Sequence, residues 1–412
     1  MAAPAVQYRF DRRWDFHISL AVGLIALLVG AVGVFRVLIW HDHGALGSYV
    51  PWGLWVAAYV YLVWMEVGMI LGYYALKHVL KVEGIEKLGP VIVLAAICAL
   101  LAALMIIGMD LGHPFRAWRA LVFADFSSPM TWMIWLHSFY LVLLAVEFWA
   151  YRNDYEDLIK WLNWVNIPAG VALIGVIGAL FGVIAARPFW NASILPMAFF
   201  MSSLVAGTAL ILLLHLLFSP LAGKRVYQRT AQELGRFLMW AILVALLAAG
   251  ANLVVTMYPD VPAKSEAMRL LLFGPYWWSV WIVHLALGTL VPLVLLALFR
   301  RSLLALGTAA ALLVSTFVMV PLNVVIPGLA YPTPELRGIA SAYVHPRLSY
   351  DYVPNLTEWL VVVFGLGVAL TLFAVAYYLL LNRYYADLAR QPDDATAAQP
   401  DAAPASAQAV NP

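Results

Sequence analysis

Ten separate stretches of about twenty or more mostly apolar residues run through the sequence. A helix of about 20 residues crosses the roughly 30 Å hydrocarbon core of a bilayer and satisfies its own backbone hydrogen bonds. Charged residues make up only 11% of the sequence, against about 25% in a soluble globular domain. These observations predict an all-α fold, a polytopic transmembrane helix bundle of about ten spans.

Prolines, glycines and charge clusters divide the sequence into these spans. The residues after Arg390 are mainly Ala, Pro, Gln and Asp, a composition typical of disordered segments. We therefore predict an N-terminal cytoplasmic segment (1–15), a transmembrane domain (16–385) and a disordered cytoplasmic tail (386–412). The predicted spans are 16–40, 52–77, 88–109, 130–151, 161–185, 193–218, 236–257, 276–299, 303–327 and 355–381.

Lysine and arginine residues are unevenly distributed between the segments outside the spans. The two terminal segments and the connecting segments on their side hold 16 of the 24 Lys and Arg residues, and the other side holds 8. Cytoplasmic loops carry the excess of positive charge. Both termini are therefore predicted to lie in the cytoplasm, in a multi-pass membrane protein. The net charge of +2 gives no indication of a nucleic-acid partner.

The single cysteine, Cys98, limits the cofactors that this protein can hold. One thiol cannot form a disulfide within the protein, and it cannot ligate an iron–sulfur cluster or zinc as cysteine sets do. His137 and His284 have similar depths in the fourth and eighth spans, which raises the alternative of a bis-histidine haem b. Two such helices need not face each other, so we expect no metal site, no haem and no iron–sulfur cluster in this protein.

Two acidic side chains fall deep inside predicted spans. Glu66 lies near mid-membrane in the second span, and Glu147 lies at a comparable or greater depth in the fourth. An ionisable side chain at this depth costs about 3 kcal/mol or more, so each indicates function. The two residues would form a proton path, and the alternative is that each hydrogen-bonds to a neighbouring helix as a structural contact.

The outer end of the third span carries the densest group of chemically active residues. Asp110 ends an apolar stretch, and His113, Arg116 and Arg119 follow within nine residues beside Trp118. Reduction of a quinone takes two electrons and two protons, and histidine titrates near working pH. Asp110 and His113 are therefore candidate proton donors to a quinone. The alternative is a helix C-terminus with Asp–Arg pairing in the headgroup region.

The sequence resembles the NrfD-type polysulfide reductase membrane subunits. The resemblance is to the longer, ten-span branch, which contains the hydrogenase 2 membrane subunit and the membrane subunit associated with sulfite reductase. In place of the usual Asp-Leu-Gly-Arg-Pro motif, this sequence has His113 at the arginine position. The matching motifs are VPWGLWV at 50–56, DLGHPFRAW at 110–118, SSPMTW at 127–132, ARPFWNASILPMAFFMSSLVAG at 186–207 and YVPNLTEW at 352–359.

The resemblance implies a haem-free subunit that exchanges electrons between a membrane quinone, menaquinone or ubiquinone, and an iron–sulfur ferredoxin-like subunit on the periplasmic face. Further redox subunits complete such an assembly, which the resemblance places in the bacterial inner membrane. Within this interpretation, Trp52 forms an aromatic wall, Asp110 and His113 donate protons, and Arg187 stabilises the reduced quinone electrostatically. His137 is a further quinone-binding candidate. A secondary transporter and a b-type cytochrome remain the alternatives.

Overall fold

The computed structural model describes residues 13–42, 44–221, 224–331, 349–382 and 384–385. Within this part of the protein, ten helices are long and apolar enough to cross a membrane, and there is no β-strand. The prediction of an all-α, ten-span bundle is confirmed, and the protein is a multi-pass membrane protein. Most of the predicted N-terminal segment and the whole predicted tail, 386–412, lie outside the described residues.

Thirteen α-helices form the described bundle, and short helices of other kinds extend or connect them. π-Helical turns cover Ala75–Val79, Ser279–Leu290 and Tyr377–Leu381, and 3₁₀ turns cover Ile85–Leu88 and Pro114–Arg116. The α-helices are α1 (Arg13–Trp40), α2 (Leu54–Tyr74), α3 (Gly89–Asp110), α4 (Arg119–Val122), α5 (Pro129–Arg152), α6 (Glu156–Gly182), α7 (Leu195–Phe218), α8 (Lys224–Met257), α9 (Pro262–Phe273), α10 (Val291–Leu298), α11 (Leu303–Thr316), α12 (Met319–Ala330) and α13 (Leu356–Ala376).

Helix α2 is the centre of the bundle, because every one of its residues is buried. It packs on α3, α6 and α7, and α5 packs between α3 and α6, which gives a first group of helices. Helices α7, α8, α10, α11 and α12 form a second group with the long π-helical segment. Helices α1 and α13 pack along each other, and α13 also packs against α3.

Small residues allow the closest helix contact, between α2 and α7. A Cβ atom added to Gly68 would lie 1.8 Å from the carbonyl oxygen of Ser203, and one added to Gly207 would lie 2.0 Å from the carbonyl carbon of Gly68. Ser203 and Gly207 are four residues apart and therefore share one face of α7. This small-xxx-small spacing lets two backbones touch, as in other membrane helix pairs.

The bundle has two ends, which we name by residues that lie there. The Asp110 end contains the C-terminus of α3 and the N-termini of α2, α5, α7 and α13. The Lys87 end contains the N-terminus of α3 and the C-termini of α2, α5 and α7. The charge distribution predicts that the Lys87 end faces the cytoplasm.

Two helical regions differ from the expectation. Helix α8 begins at Lys224 rather than near residue 236, because its first three turns continue the helix beyond the apolar stretch as a charged segment. Arg229 pairs there with Glu83 at 3.3 Å, and Arg236 with Glu233 at 3.0 Å. Helix α9, which begins at Pro262, was not predicted, since it is too short and too polar to form a span.

The orientation of the bundle gives a direct prediction for reporter fusions. A reporter fused after Arg390 should report a cytoplasmic position, and one inserted near Tyr343 a periplasmic position, because the Lys and Arg distribution is 16 to 8. Both positions lie outside the described residues. Two reporters on one side of the membrane would contradict the ten-span topology.

Candidate functional site

Glu358 and Tyr352 tie the start of α2 to the start of α13 at the Asp110 end. The backbone N–H of Leu54 donates to the Tyr352 hydroxyl at 2.7 Å, and this hydroxyl donates to the fully buried Glu358 carboxyl. Glu358 also accepts from the backbone N–H of Ala45 at 2.9 Å and closes a capping box with Asn355. Burial and the Glu358 carboxylate raise the pKa of the Tyr352 phenol, so it remains a donor.

A second carboxylate, Asp42, stands beside this junction. The Thr357 hydroxyl donates to it at 2.7 Å, and Arg36 forms a salt bridge with it at 2.8 Å. Burial opposes ionisation, but these contacts and the N–H of Gly44 outweigh it and lower the pKa of Asp42. The junction between α1, α2 and α13 therefore contains one firmly ionised carboxylate.

Asp110, the last residue of α3, lies near the same junction. One of its carboxyl oxygens is buried and has no hydrogen-bond partner among the described residues. Glu358 and Tyr352 are close enough to interact with it electrostatically. A buried polar atom without a partner costs about 1–3 kcal/mol, which folding alone would not select. Asp110 is therefore the strongest candidate for a residue that exchanges protons with a bound molecule.

His113 lies just past the end of α3, on an exposed loop. The 3₁₀ turn Pro114–Arg116 and the short helix α4 follow it, and the loop ends at Pro129. Large apolar side chains project from this loop into the surroundings; Phe115, for example, is 86% exposed. The other exposed ones are Leu111, Trp118, Leu121, Val122, Phe123 and Phe126.

Trp52 and Arg187 lie at the Asp110 end as well. The half-buried Trp52 ring stacks on Trp190 with centroids 5.6 Å apart and meets the edge of Phe181 at 6.0 Å. Arg187 belongs to the turn before Trp190 and interacts electrostatically with Tyr350. Trp52 thus packs among aromatic rings, and Arg187 lies three residues before Trp190 in the sequence.

His137 lies deeper, on α5. Its Nδ1 is 2.7 Å from the carbonyl oxygen of Met133, which can only accept, so Nδ1 carries the proton. The other ring nitrogen, Nε2, therefore accepts from the Tyr59 hydroxyl at 3.1 Å. Tyr59 is five residues into α2, about 8 Å from its N-terminus. Both ring nitrogens of His137 are thus engaged within the protein.

Glu66 is the most exceptional acidic residue of the bundle. It is fully buried, and neither carboxyl oxygen has a hydrogen-bond partner among the described residues. Glu66 interacts electrostatically with Tyr59 and with Tyr140. The Tyr140 hydroxyl is also unpaired within the described structure. These unpaired groups do not fit the alternative of a simple structural contact.

Glu147, in contrast, has partners from two neighbouring helices. It accepts from the Tyr74 hydroxyl at 3.0 Å and from the Asn166 side-chain amide at 2.6 Å. Tyr140 interacts electrostatically with Glu147 as well as with Glu66. The arrangement joins α2, α5 and α6, which agrees with a structural role and equally with one station of a proton path.

Several of these polar partners could not be identified from the sequence. The residue type alone does not indicate a role for a polar residue in an apolar stretch, and this applies to Tyr59, Tyr74, Tyr140 and Asn166. Glu358 could have been identified from the sequence, because Asn355 precedes it at the N-x-x-E spacing of a capping box.

The protein matches a known family and is similar to several membrane subunits of reductases and oxidoreductases. The family described as polysulphide reductase, NrfD, matches residues 45–332. The C subunit of the selenate reductase of Mesobacillus selenatarsenatis is 29% identical over 394 residues, which span 85% of this protein and 91% of that one. The Hdr-like menaquinol oxidoreductase integral membrane subunit of Archaeoglobus fulgidus is 23% identical over 372 residues, 86% and 91% of the two proteins. The menaquinone reductase integral membrane subunit of Nitratidesulfovibrio vulgaris is 21% identical over 390 residues, 86% and 88%.

Proposed function

Because this protein belongs to the polysulphide reductase NrfD family, we propose that it is the integral membrane subunit of a respiratory oxidoreductase complex. It exchanges electrons between the membrane quinone pool and an iron–sulfur subunit on the periplasmic face. The family resemblance inferred from the sequence is confirmed by the match to residues 45–332. Quinone chemistry is supported by two relatives whose names identify a menaquinol oxidoreductase subunit and a menaquinone reductase subunit.

The observation that carries this proposal is the unpaired, buried carboxyl oxygen of Asp110 at the end of α3. A quinone takes up two electrons and two protons to become a quinol, and the reverse reaction releases them. Asp110 exchanges one proton with one quinone oxygen, and His113 exchanges the second proton with the other quinone oxygen and with water. Trp52 packs on the ring, His137 keeps the neighbouring Tyr59 hydroxyl oriented, and Arg187 stabilises negative charge on the reduced quinone.

The electrons have to pass between the quinone and a partner subunit. The exposed apolar residues of the loop 111–128 form a surface at the Asp110 end, and this type of surface is typical of protein contacts. An iron–sulfur subunit docked on this loop brings its cluster next to Asp110 and His113. The partner also defines the terminal substrate of the complex.

Measurements on the protein purified alone distinguish this proposal from a b-type cytochrome and from a transporter. Purified alone, the protein should bind quinone and show no visible absorption band of a redox cofactor, because its single cysteine and its engaged His137 offer no convincing ligand set. The measurement is a visible spectrum with metal analysis, beside quinone binding. Stoichiometric haem or iron would contradict the proposal, and so would the absence of quinone binding.

Protons reach the quinone, or leave it, by the buried groups between Tyr59 and Tyr74. Glu66→Gln keeps the size of the side chain and removes its acid, so proton transfer through the bundle should fall by about 100-fold. The amount of folded protein should stay the same, because Glu66 holds no hydrogen bond within the described structure that would be lost. The measurement is proton movement per quinone turned over in sealed vesicles that contain the whole complex.

A matched control for this variant is Glu83→Gln, since Glu83 is exposed and pairs with Arg229 outside the core. Unchanged proton movement in Glu66→Gln, at normal assembly, would remove Glu66 from the path.

A further inference from the structure

A cavity of about 430 Å³ lies inside the second group of helices, away from Asp110, Tyr352 and Glu358. Its walls come from α2, α7, α8, α9, α12 and the π-helical segment. Trp64 on its wall is ten residues into α2, so the cavity reaches about 15 Å below the Asp110 end. A volume of this size is within the range of small-molecule sites, roughly 300–1,000 Å³.

The cavity opens sideways, toward lipid. Leu253 on α8 and Trp281 on the π-helical segment both line it, yet they are 38% and 43% exposed. Helices α9, α10 and α11 each contact both α8 and the π-helical segment, so they hold these two walls with the cavity between them. A ligand can therefore enter from the bilayer without crossing either end of the bundle.

Two buried N–H donors at the wall lack acceptors. The Nε1 of Trp64 and the Nδ2 of Asn323 have no hydrogen-bond partner among the described residues. The Asn323 amide is oriented, because its Oδ1 accepts from the Ser279 hydroxyl at 2.7 Å. Its free donor is therefore the NH₂ group. The His284 ring, packed against Phe317 at a centroid distance of 5.7 Å, borders the same cavity and can donate or accept.

Irregular backbone marks the same wall. His284 lies in the twelve-residue π-helical segment Ser279–Leu290, and Phe317 lies in the break between α11 and α12. π-Helical turns are rare and frequent at functional sites, since they displace side chains from the regular helical positions.

We propose that this cavity binds the ring of a membrane quinone, at a site separate from the proposed quinone site at Asp110. A quinone is a flat apolar ring with two carbonyl acceptors, and the cavity is an apolar space bordered by the His284 ring, which can donate to a carbonyl. A phospholipid acyl chain has no acceptor for a donor at His284. The inference rests on the proposed function, because it assumes that quinone is the ligand of this protein.

Aromatic contacts join the cavity to the Asp110 end. The Trp64 ring meets Phe199 at 4.9 Å, Phe199 meets Phe181 at 5.9 Å, and Phe181 meets Trp52 at 6.0 Å. Two quinone rings, one at each site, would thus be connected through packed side chains. The second site holds a quinone in reserve, or exchanges it with the pool, while the first reacts.

The test introduces a larger side chain into the cavity, at a position where its extra volume meets no other described atom. Gly250 on α8 lines the cavity, and a Cβ added to it meets no described atom within 4 Å. Gly250→Phe should therefore fold normally and occupy the space. Gly175→Phe is the matched control, since Gly175 on α6 also faces open space but does not line the cavity.

The probe is a photoreactive azido-naphthoquinone with a short isoprenoid tail, applied to the whole complex in lipid nanodiscs, with labelled peptides mapped by mass spectrometry. We expect labels on peptides of α8 and the π-helical segment, reduced at least about tenfold by Gly250→Phe and unchanged by Gly175→Phe. His284→Phe keeps the packing on Phe317 and removes a polar contact, so labelling there should fall about fivefold to tenfold.

Four outcomes would overturn this inference. Labels confined to α2, α3 and α5 near Asp110 would leave the proposed function intact and remove the second site. Labels on α8 that survive Gly250→Phe would show that the probe binds outside the cavity. Labels that are displaced equally by the isoprenoid tail without the ring would show that the cavity takes lipid tails. No label anywhere, together with no quinone-linked turnover, would overturn the proposed function as well.

Discussion

Replacement of Gly68 by leucine is expected to abolish the accumulation of folded protein. Even a Cβ atom at this position would lie 1.8 Å from the carbonyl oxygen of Ser203, a backbone atom that cannot turn away. Helices α2 and α7 would have to separate, and α2 is the buried centre of the bundle. We expect a loss of more than about 5 kcal/mol in the free energy of unfolding, which is exceptional for one substitution.

The measurement for this variant is the yield of monodisperse protein in detergent and its unfolding temperature. Gly175→Leu is the control, because its Cβ meets no described atom within 4 Å and its helix also lies in the membrane. Gly207→Leu should fail as Gly68→Leu does, since each glycine lies against the backbone of the opposite helix. Normal yield of Gly68→Leu would mean that α2 and α7 do not touch in this way.

The number of spans was predictable because hydropathy and length alone define a membrane helix. The helix types inside the spans were not. Ser279–Leu290 is mostly apolar, and its π-helical hydrogen bonds leave no period that the sequence displays. The same holds for the break at Phe317, which falls inside one continuous apolar stretch.

The depth of candidate residues was also predictable, because each residue adds about 1.5 Å along a helix. Glu66, Glu147 and His137 are also buried between helices, which position along a helix does not determine. Their partners were not predictable, since a helix that is apolar all round does not reveal which face meets which neighbour. The contact between Ala45 and Glu358, 313 residues apart in the sequence, is of this kind.

Asp110→Asn and His113→Ala should each lower quinone-linked turnover by about 100-fold, the usual scale for the loss of a general acid or base. Asp110 has a buried oxygen without a partner among the described residues, so the amide replaces the acid at little structural cost. His113 is exposed on the loop, so its removal leaves no gap in the core. Assembly with the partner subunits should therefore survive both changes.

Asp125→Asn is the matched control, because Asp125 is an acid of the same loop whose carboxylate accepts hydrogen bonds from the exposed Ser127. Its quinone-linked turnover should equal that of the unchanged protein. If Asp110 only ended helix α3, Asp110→Asn would instead lower the amount of folded complex and leave turnover per molecule intact.

Quinone-linked turnover per assembled complex, with the dye-linked activity of the soluble partner measured on the same sample, tests the central claim most directly. Quinone chemistry at the Asp110 end predicts that Asp110→Asn and His113→Ala lose quinone-linked turnover while dye-linked activity stays constant. Unchanged quinone-linked turnover in both variants would contradict the claim, and so would a complex that reacts with quinone equally well without this membrane subunit.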